Sequence, residues 1–167
     1  MKLTNIRINP KTVAYSTMNV VDDATDKAHH QTEELPLPAL QETLANLSSV
    51  CCKWMDCPNS WNDGIKPLGI SISYTAAGTR SVSIVFDRPF EMMGEGTLRN
   101  VTPTVRIDKA ADGEDKKPVA TKAHVKLIEE FIAAAEDYAN GKRAQGTLDQ
   151  YAKAQAQPKD DGGEPLL

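Results

Sequence analysis

The run LGISISYTAAGTRSVSIVFDRPF, residues 68–90, constrains the fold more than any other segment. Ile70, Ile72 and Tyr74 fall on one side of an extended chain. Val82, Ile84 and Phe86 repeat the pattern after Ala76-Ala77-Gly78-Thr79, with serine at the alternate positions. A period of two with small polar residues between the apolar ones predicts a hairpin with one buried face. A shorter version opens the chain. Leu3 to Ile8 and Thr12 to Thr17 alternate in the same way around Asn9-Pro10-Lys11, a good turn initiator, and predict a first hairpin.

The segments between and after these hairpins read differently. VDDATDKAHHQTEE has no sustained apolar period and reads as a loop or an edge excursion. Leu40, Leu44, Leu47, Cys51 and Trp54 form one stripe of an amphipathic helix that starts near Pro38, where a missing N–H costs nothing. After the turn-rich DCPNSWNDGIKP and the central hairpin, TLRNVTPTVRID predicts a further strand through Val101, Val105 and Ile107. Pro103 makes that strand an edge or a bulge. Val125, Ile128, Phe131, Ile132, Ala135 and Ala139 predict a second helix, with Thr121 as its N-cap and Asn140-Gly141 as its stop. TLDQYAKAQAQ, opening on a capping pattern, predicts a third, and PKDDGGEPLL has the composition of a disordered tail.

Consecutive hairpins, rather than strands alternating with crossovers, favour an α+β domain. The expectation is an antiparallel sheet of about five strands, with one helix after the first hairpin and C-terminal helices packed on one face. A single domain over residues 1–156 and an acidic tail over 157–167 follow. The 167 residues suffice for a core without disulfides or metals. Short and proline-containing edge strands suggest a homo-oligomer.

A net charge of −4 argues against a protein that coats duplex nucleic acid nonspecifically, because such binding runs on phosphate neutralisation. No window is apolar enough to span a membrane, and MKLTNIRINPK turns polar too early for a secretory signal. With three cysteines, two of them adjacent, the reading is a cytoplasmic protein with free thiols.

Cys51, Cys52 and Cys57, with His29 and His30 upstream, contain zinc-type ligand residues. Adjacent cysteines on a helix point about 100° apart, however, and Cys51 already belongs to the apolar stripe. Cys51 and Cys52 also lie near a helix C-terminus, where the dipole disfavours a thiolate. A thiol or zinc enzyme would have to rely on Cys57, His29 and His30; the expectation is no catalytic residues, no metal and no cofactor. Asp22, Asp23, Asp26 and Glu33 read as a solvated charged loop. The ligand-binding candidates are Arg80, Arg88, Arg99 and Arg106, which lie in the strand region and can grip phosphate or carboxylate bidentately, together with Trp61 in its polar turn.

The N-terminal hairpin, ELPLPALQETLANLSSV, WNDGIKPLGISISYT, TPTVRI and KLIEEFIAAAEDYANGKRAQ, in this order, resemble uncharacterised small accessory proteins of phage and prophage genomes. The resemblance implies a phage accessory protein and no mechanism; in that setting small size, acidity and the absence of a catalytic motif favour a non-enzymatic protein that acts in the host by binding. The leading expectation is counter-defence or host-takeover inhibition, by gripping a host protein or sequestering a nucleotide signal. The alternative is a replication or recombination accessory that binds single-stranded nucleic acid, to which the β-rich centre and the tail DDGGEPLL lend support; few aromatics and no basic run stand against it.

Overall fold

Both predicted hairpins form, and they lie side by side in one antiparallel sheet. The computed structural model describes residues 1–34, 36–90, 96–109 and 117–142. Strands β1 (Lys2–Ile8), β2 (Val13–Val21) and β3 (Ala24–Thr32) precede helices α1 (Pro38–Ala45) and α2 (Ser48–Trp54) and a 3-10 turn at Asn59–Gly64. Strands β4 (Lys66–Tyr74), β5 (Arg80–Phe90), β6 (Gly96–Val101) and β7 (Val105–Arg106) and helix α3 (Lys122–Ala139) follow. The strand order is β3-β2-β1-β4-β5-β6, with β7 continuing beside β5. The α+β class and the antiparallel sheet are therefore as expected, with seven strands where about five were anticipated. The additional helix predicted in TLDQYAKAQAQ and the tail lie outside the described residues.

Two expectations change in detail. The polar stretch after β2 is an edge strand, β3, paired with β2 along its whole length from Val13↔Thr32 to Val21↔Ala24. Asp22 and Asp23, both with positive φ (49° and 64°), form the two-residue turn whose twist suits a hairpin. An edge strand exposed to water needs no apolar period, which is why the sequence hides it. The helix over Leu40–Trp54 breaks at Asn46–Leu47, where Leu47 N–H donates to Leu44 O, a tighter turn than an α-helix makes. Asn46 and the following serines favour such local alternatives to the helical ladder, and Ser49 Oγ donates to Asn46 O at 3.4 Å. The stripe survives the break: Leu40, Leu44, Leu47, Val50, Cys51 and Cys52 are all buried.

The helices cover one face of the sheet. Ile6, Ile70 and Ile84 stand opposite one another across β1, β4 and β5 and are fully enclosed in one apolar cluster with Ile128, Phe131 and Ala135 of α3. Each such side chain contributes about 2 kcal/mol by leaving water. Two tyrosines reach the layer with their hydroxyls satisfied: Tyr74 donates to Leu3 O and Tyr138 to Glu34 O, both at 2.7 Å. The ends of α3 follow the sequence, with Thr121 Oγ1 accepting from His124 N–H and Gly141 at φ +97°.

Gly69 is where β1 approaches β4 most closely. A register shift between Pro67 and Gly69 kinks β4, and a Cβ on Gly69 would sit 1.9 Å from Ile6 O and 2.8 Å from Arg7 Cα. Both neighbours are backbone and cannot swing aside. Gly69→Ala should therefore cost about 3 kcal/mol or more in urea unfolding. Gly78→Ala, at φ +86° with open space around it, should cost only about 1 kcal/mol. Equal losses at the two positions would show that crowding at Gly69 is not what limits it.

Candidate functional site

Strand parity sorts the four candidate arginines. Arg80 and Arg88 alternate with Val82, Ile84 and Phe86 on the helix-covered face of β5, at opposite ends of the strand. Arg99 pairs with Asp87, and Arg106 with Ser81, on the other face. The four do not form one cluster.

Arg80 is a brace. Its Nε and one terminal nitrogen donate to the two carboxylate oxygens of Asp108 at 2.9 and 2.8 Å, its backbone N–H donates to Asp108 at 2.8 Å, and its guanidinium also meets Glu129 of α3. The arrangement ties β5 to the segment after β7 and to the C-terminal helix. Two carboxylates hold the guanidinium more firmly protonated than usual, and Arg80 in turn holds the Asp108 carboxyl below its ordinary value. A side chain so engaged is occupied by the protein itself.

Arg88 lies over the Trp61 ring, 5.7 Å from its centroid, and faces Leu98 across the strand pair. Trp61 is 46% exposed and Leu98 40%, so the three make a strip of mixed character where the 3-10 turn meets β6. Beneath that turn lies a cavity of about 750 Å³, bounded by the β1–β2 turn, α1 and the start of β4. Lys11 and Lys66 line it, as do Glu33, Glu34 and Asp63, so carboxylates exceed ammonium groups. The Asn62 side-chain carbonyl is buried at this wall without a hydrogen-bond partner among the described residues.

The face of the sheet that no helix covers among the described residues, called the helix-free face below, is the largest feature that the sequence did not disclose. Its central row crosses five strands: His29 opposite Ser16, then Asn5, Ser71 and Ser83. Ser16 Oγ and His29 Nδ1 lie 2.7 Å apart, and Asn5 Nδ2 donates to Ser71 Oγ at 2.7 Å. Around this polar ladder the register places Arg7, Lys27, Lys66, Arg99 and Arg106. The one carboxylate in the strand pairs of this face is Asp87, between Lys66 and Arg99, with Arg99 Nε donating to it at 3.1 Å. A chain of net charge −4 thus turns a cationic face to solvent. These cations come from five strands, and only cross-strand pairing brings them together. The visible trace in the sequence is serine at the positions alternating with Ile70, Ile72, Val82 and Ile84.

The cysteines are packing residues. Cys51 is fully enclosed, and burial, with the neighbouring thiols adding to it, pushes its pKa up to about 12. Cys52 is also raised by burial, and its thiol donates toward Cys57 O and Pro58 O. His30 stacks on Tyr15 at 4.8 Å, while His29 lies on the helix-free face, across the sheet from α2 and the cysteines. Among the described residues, no group of three or more His, Cys, Asp or Glu side chains is arranged to hold a metal ion. No helix among them is long and apolar enough to cross a membrane.

Compared with protein-family models, with curated proteins and with solved structures, the chain shows no match.

The Arg80–Asp108 pair makes a definite demand on acid stability. Because the folded carboxyl titrates below its ordinary 3.8, the stabilisation is fully present above that value and disappears as pH falls through the lowered one. Asp108→Asn should lower the melting temperature near neutral pH, and its deficit relative to the parent should shrink progressively as pH falls below the ordinary carboxyl value of 3.8. Thermal unfolding across that range reads the effect; a deficit that stays constant with pH would refute an ionic origin.

Proposed function

We propose that this protein acts by binding and that its helix-free sheet face takes single-stranded nucleic acid, as a replication or recombination accessory of the phage type that its sequence resembles. The observation carrying this reading is the segregation of charge. Arg7, Lys27, Lys66, Arg99 and Arg106 share one polar face of an otherwise acidic protein, with Asp87 as the opposing carboxylate in its strand pairs. The serine, asparagine and histidine ladder between them offers hydrogen bonds to phosphate and sugar oxygens. Apart from His29, whose Nδ1 lies 2.7 Å from Ser16 Oγ, no aromatic ring stands in these rows among the described residues, so contact runs mainly through the backbone of the nucleic acid rather than through base stacking. Binding of that kind tolerates sequence and depends steeply on salt.

The host-takeover reading rests on a different observation. Trp61 and Arg88, residue types enriched at the energetic centres of protein–protein interfaces, form a partly exposed strip with Leu98 on the helix-covered side of the sheet. Sequestration of a nucleotide signal finds less support, since the cavity beside that strip carries more carboxylates than ammonium groups.

Fluorescence anisotropy of a labelled oligothymidylate tests the main reading. Log affinity against log salt should slope by about −0.7 for each phosphate neutralised, reaching roughly −2.8 if Arg7, Lys27, Lys66 and Arg99 engage. Lys27→Glu should weaken binding several-fold and flatten that slope by about 0.7 without lowering the melting temperature, and Arg99→Glu should weaken it as much while costing some stability, because the new carboxylate faces Asp87. Trp61→Ala should leave the oligonucleotide affinity unchanged. Binding that is absent at low salt, or indifferent to both charge reversals, would discard the nucleic-acid reading.

A further inference from the structure

We propose that a second copy of this chain pairs with β3, edge to edge and antiparallel, about a two-fold axis at Ala28. The argument begins at the Asp22–Asp23 turn. A two-residue turn with both φ positive closes on a hydrogen-bonded pair, here Val21 and Ala24, and pairs alternate along the ladder from there. Ala24, Asp26, Ala28, His30 and Thr32 therefore direct their backbone groups toward β2. Thr25, Lys27, His29 and Gln31 direct theirs outward, at the end of the strand order. That row of donors and acceptors runs along a nine-residue strand, long for an edge, with no proline and no register shift against β2.

Free edges of this length are usually blunted. The charges available to blunt this one are Asp26 and Lys27. In a two-fold antiparallel pairing the outward residues must face outward residues, which leaves few registers. An axis at Ala28 uses the whole strand: Thr25 faces Gln31, Lys27 faces His29, Asp26 faces His30 and Ala28 faces its own copy. Shifting the axis to Lys27 would set two ammonium groups against each other and shorten the ladder. At Ala28 the Asp26 carboxylate instead meets an imidazole able to donate an N–H, on a ring already oriented by its stack on Tyr15. The smallest side chain of the central stretch falls on the axis, where the strands come closest. The axis runs perpendicular to the sheet, so the two helix-free faces join into one surface. The pairing stands whether or not that surface binds nucleic acid.

The register gives a sharp test. Ala28 and its copy form a non-hydrogen-bonded pair with Cα atoms about 4.5 Å apart, within the range a disulfide spans. In the full chain, with Cys57→Ser to silence the half-buried native thiol, Ala28→Cys should oxidise to a covalent dimer. His30→Cys, two residues away on the same face, should not, because its copy lies about 13 Å off along the strand. Light scattering of the unmodified chain should give twice 18.2 kDa. A monomeric mass at micromolar concentration would overturn the pairing, and cross-linking at position 30 as readily as at 28 would overturn the register.

Discussion

Three residue pairs hold the two halves of this sheet together. Asn5, Ile6 and Arg7 of β1 face Ser71, Ile70 and Gly69 of β4; every other strand contact joins segments that are close in sequence. The seam closes the longest loop in the sheet, and the closure entropy of such a loop must be met by what forms across it. Its middle pair, Ile6 and Ile70, is fully buried beneath the helices. Its outer pairs face the other way, where Asn5 bonds Ser71 and the missing side chain of Gly69 admits the backbone of β1. One short contact thus aligns the apolar rows of both hairpins on one side and their polar rows on the other.

That alignment decides what each charged residue can do. Arg80 and Arg106 lie close together in the strand register, yet they are assigned to opposite faces because side chains alternate. On the helix-covered face Arg80 meets Asp108 and Glu129 and becomes part of the packing. On the other face Arg99 meets Asp87 and Arg106 lies opposite Ser81. A one-residue slip of β5 would exchange these roles and expose Val82, Ile84 and Phe86, so the same hydrophobic pattern that fixes the register also fixes the charge distribution.

The parts of the fold that were legible in the sequence are those where burial imposes a period. Ile70 with Val82 and Ile84, or Ile128 with Phe131 and Ala135, announce their elements because one side of each must leave water. The Thr121 cap and the Gly141 stop were legible for a similar local reason, orphaned backbone groups at helix ends. β3 was not, since among the described residues none of its side chains is buried and its order comes from the Asp22–Asp23 turn and from β2. The break between α1 and α2 was hidden because a single tight turn at Leu47 keeps the apolar stripe in phase. The cysteine and tryptophan cluster drew notice through residue rarity, but Cys51 and Cys52 are core, and Trp61 is the member that meets solvent and a charged partner. The cationic face was illegible for a deeper reason: Arg7, Lys27, Lys66, Arg99 and Arg106 have no mutual spacing along the chain, and their proximity exists only once the seam has formed.

A face of this kind is compatible with stability because the two sides of the sheet answer to different terms. Burial on the helix-covered side stabilises the domain whatever the outer side carries, provided the outer residues keep strand geometry and do not strain the pleat. Serine and asparagine meet that condition, and their hydrogen bonds across strands keep the backbone spacing regular. The cations on this side repel one another, and Asp87, between Lys66 and Arg99, relieves part of that repulsion at one end. What is left is charge that contributes little to folding and whose field extends about a Debye length into solvent, roughly 8 to 10 Å at physiological salt. Within that distance an anion feels this face more strongly than the acidic remainder of the molecule, so encounter is biased toward the polar ladder before any contact forms.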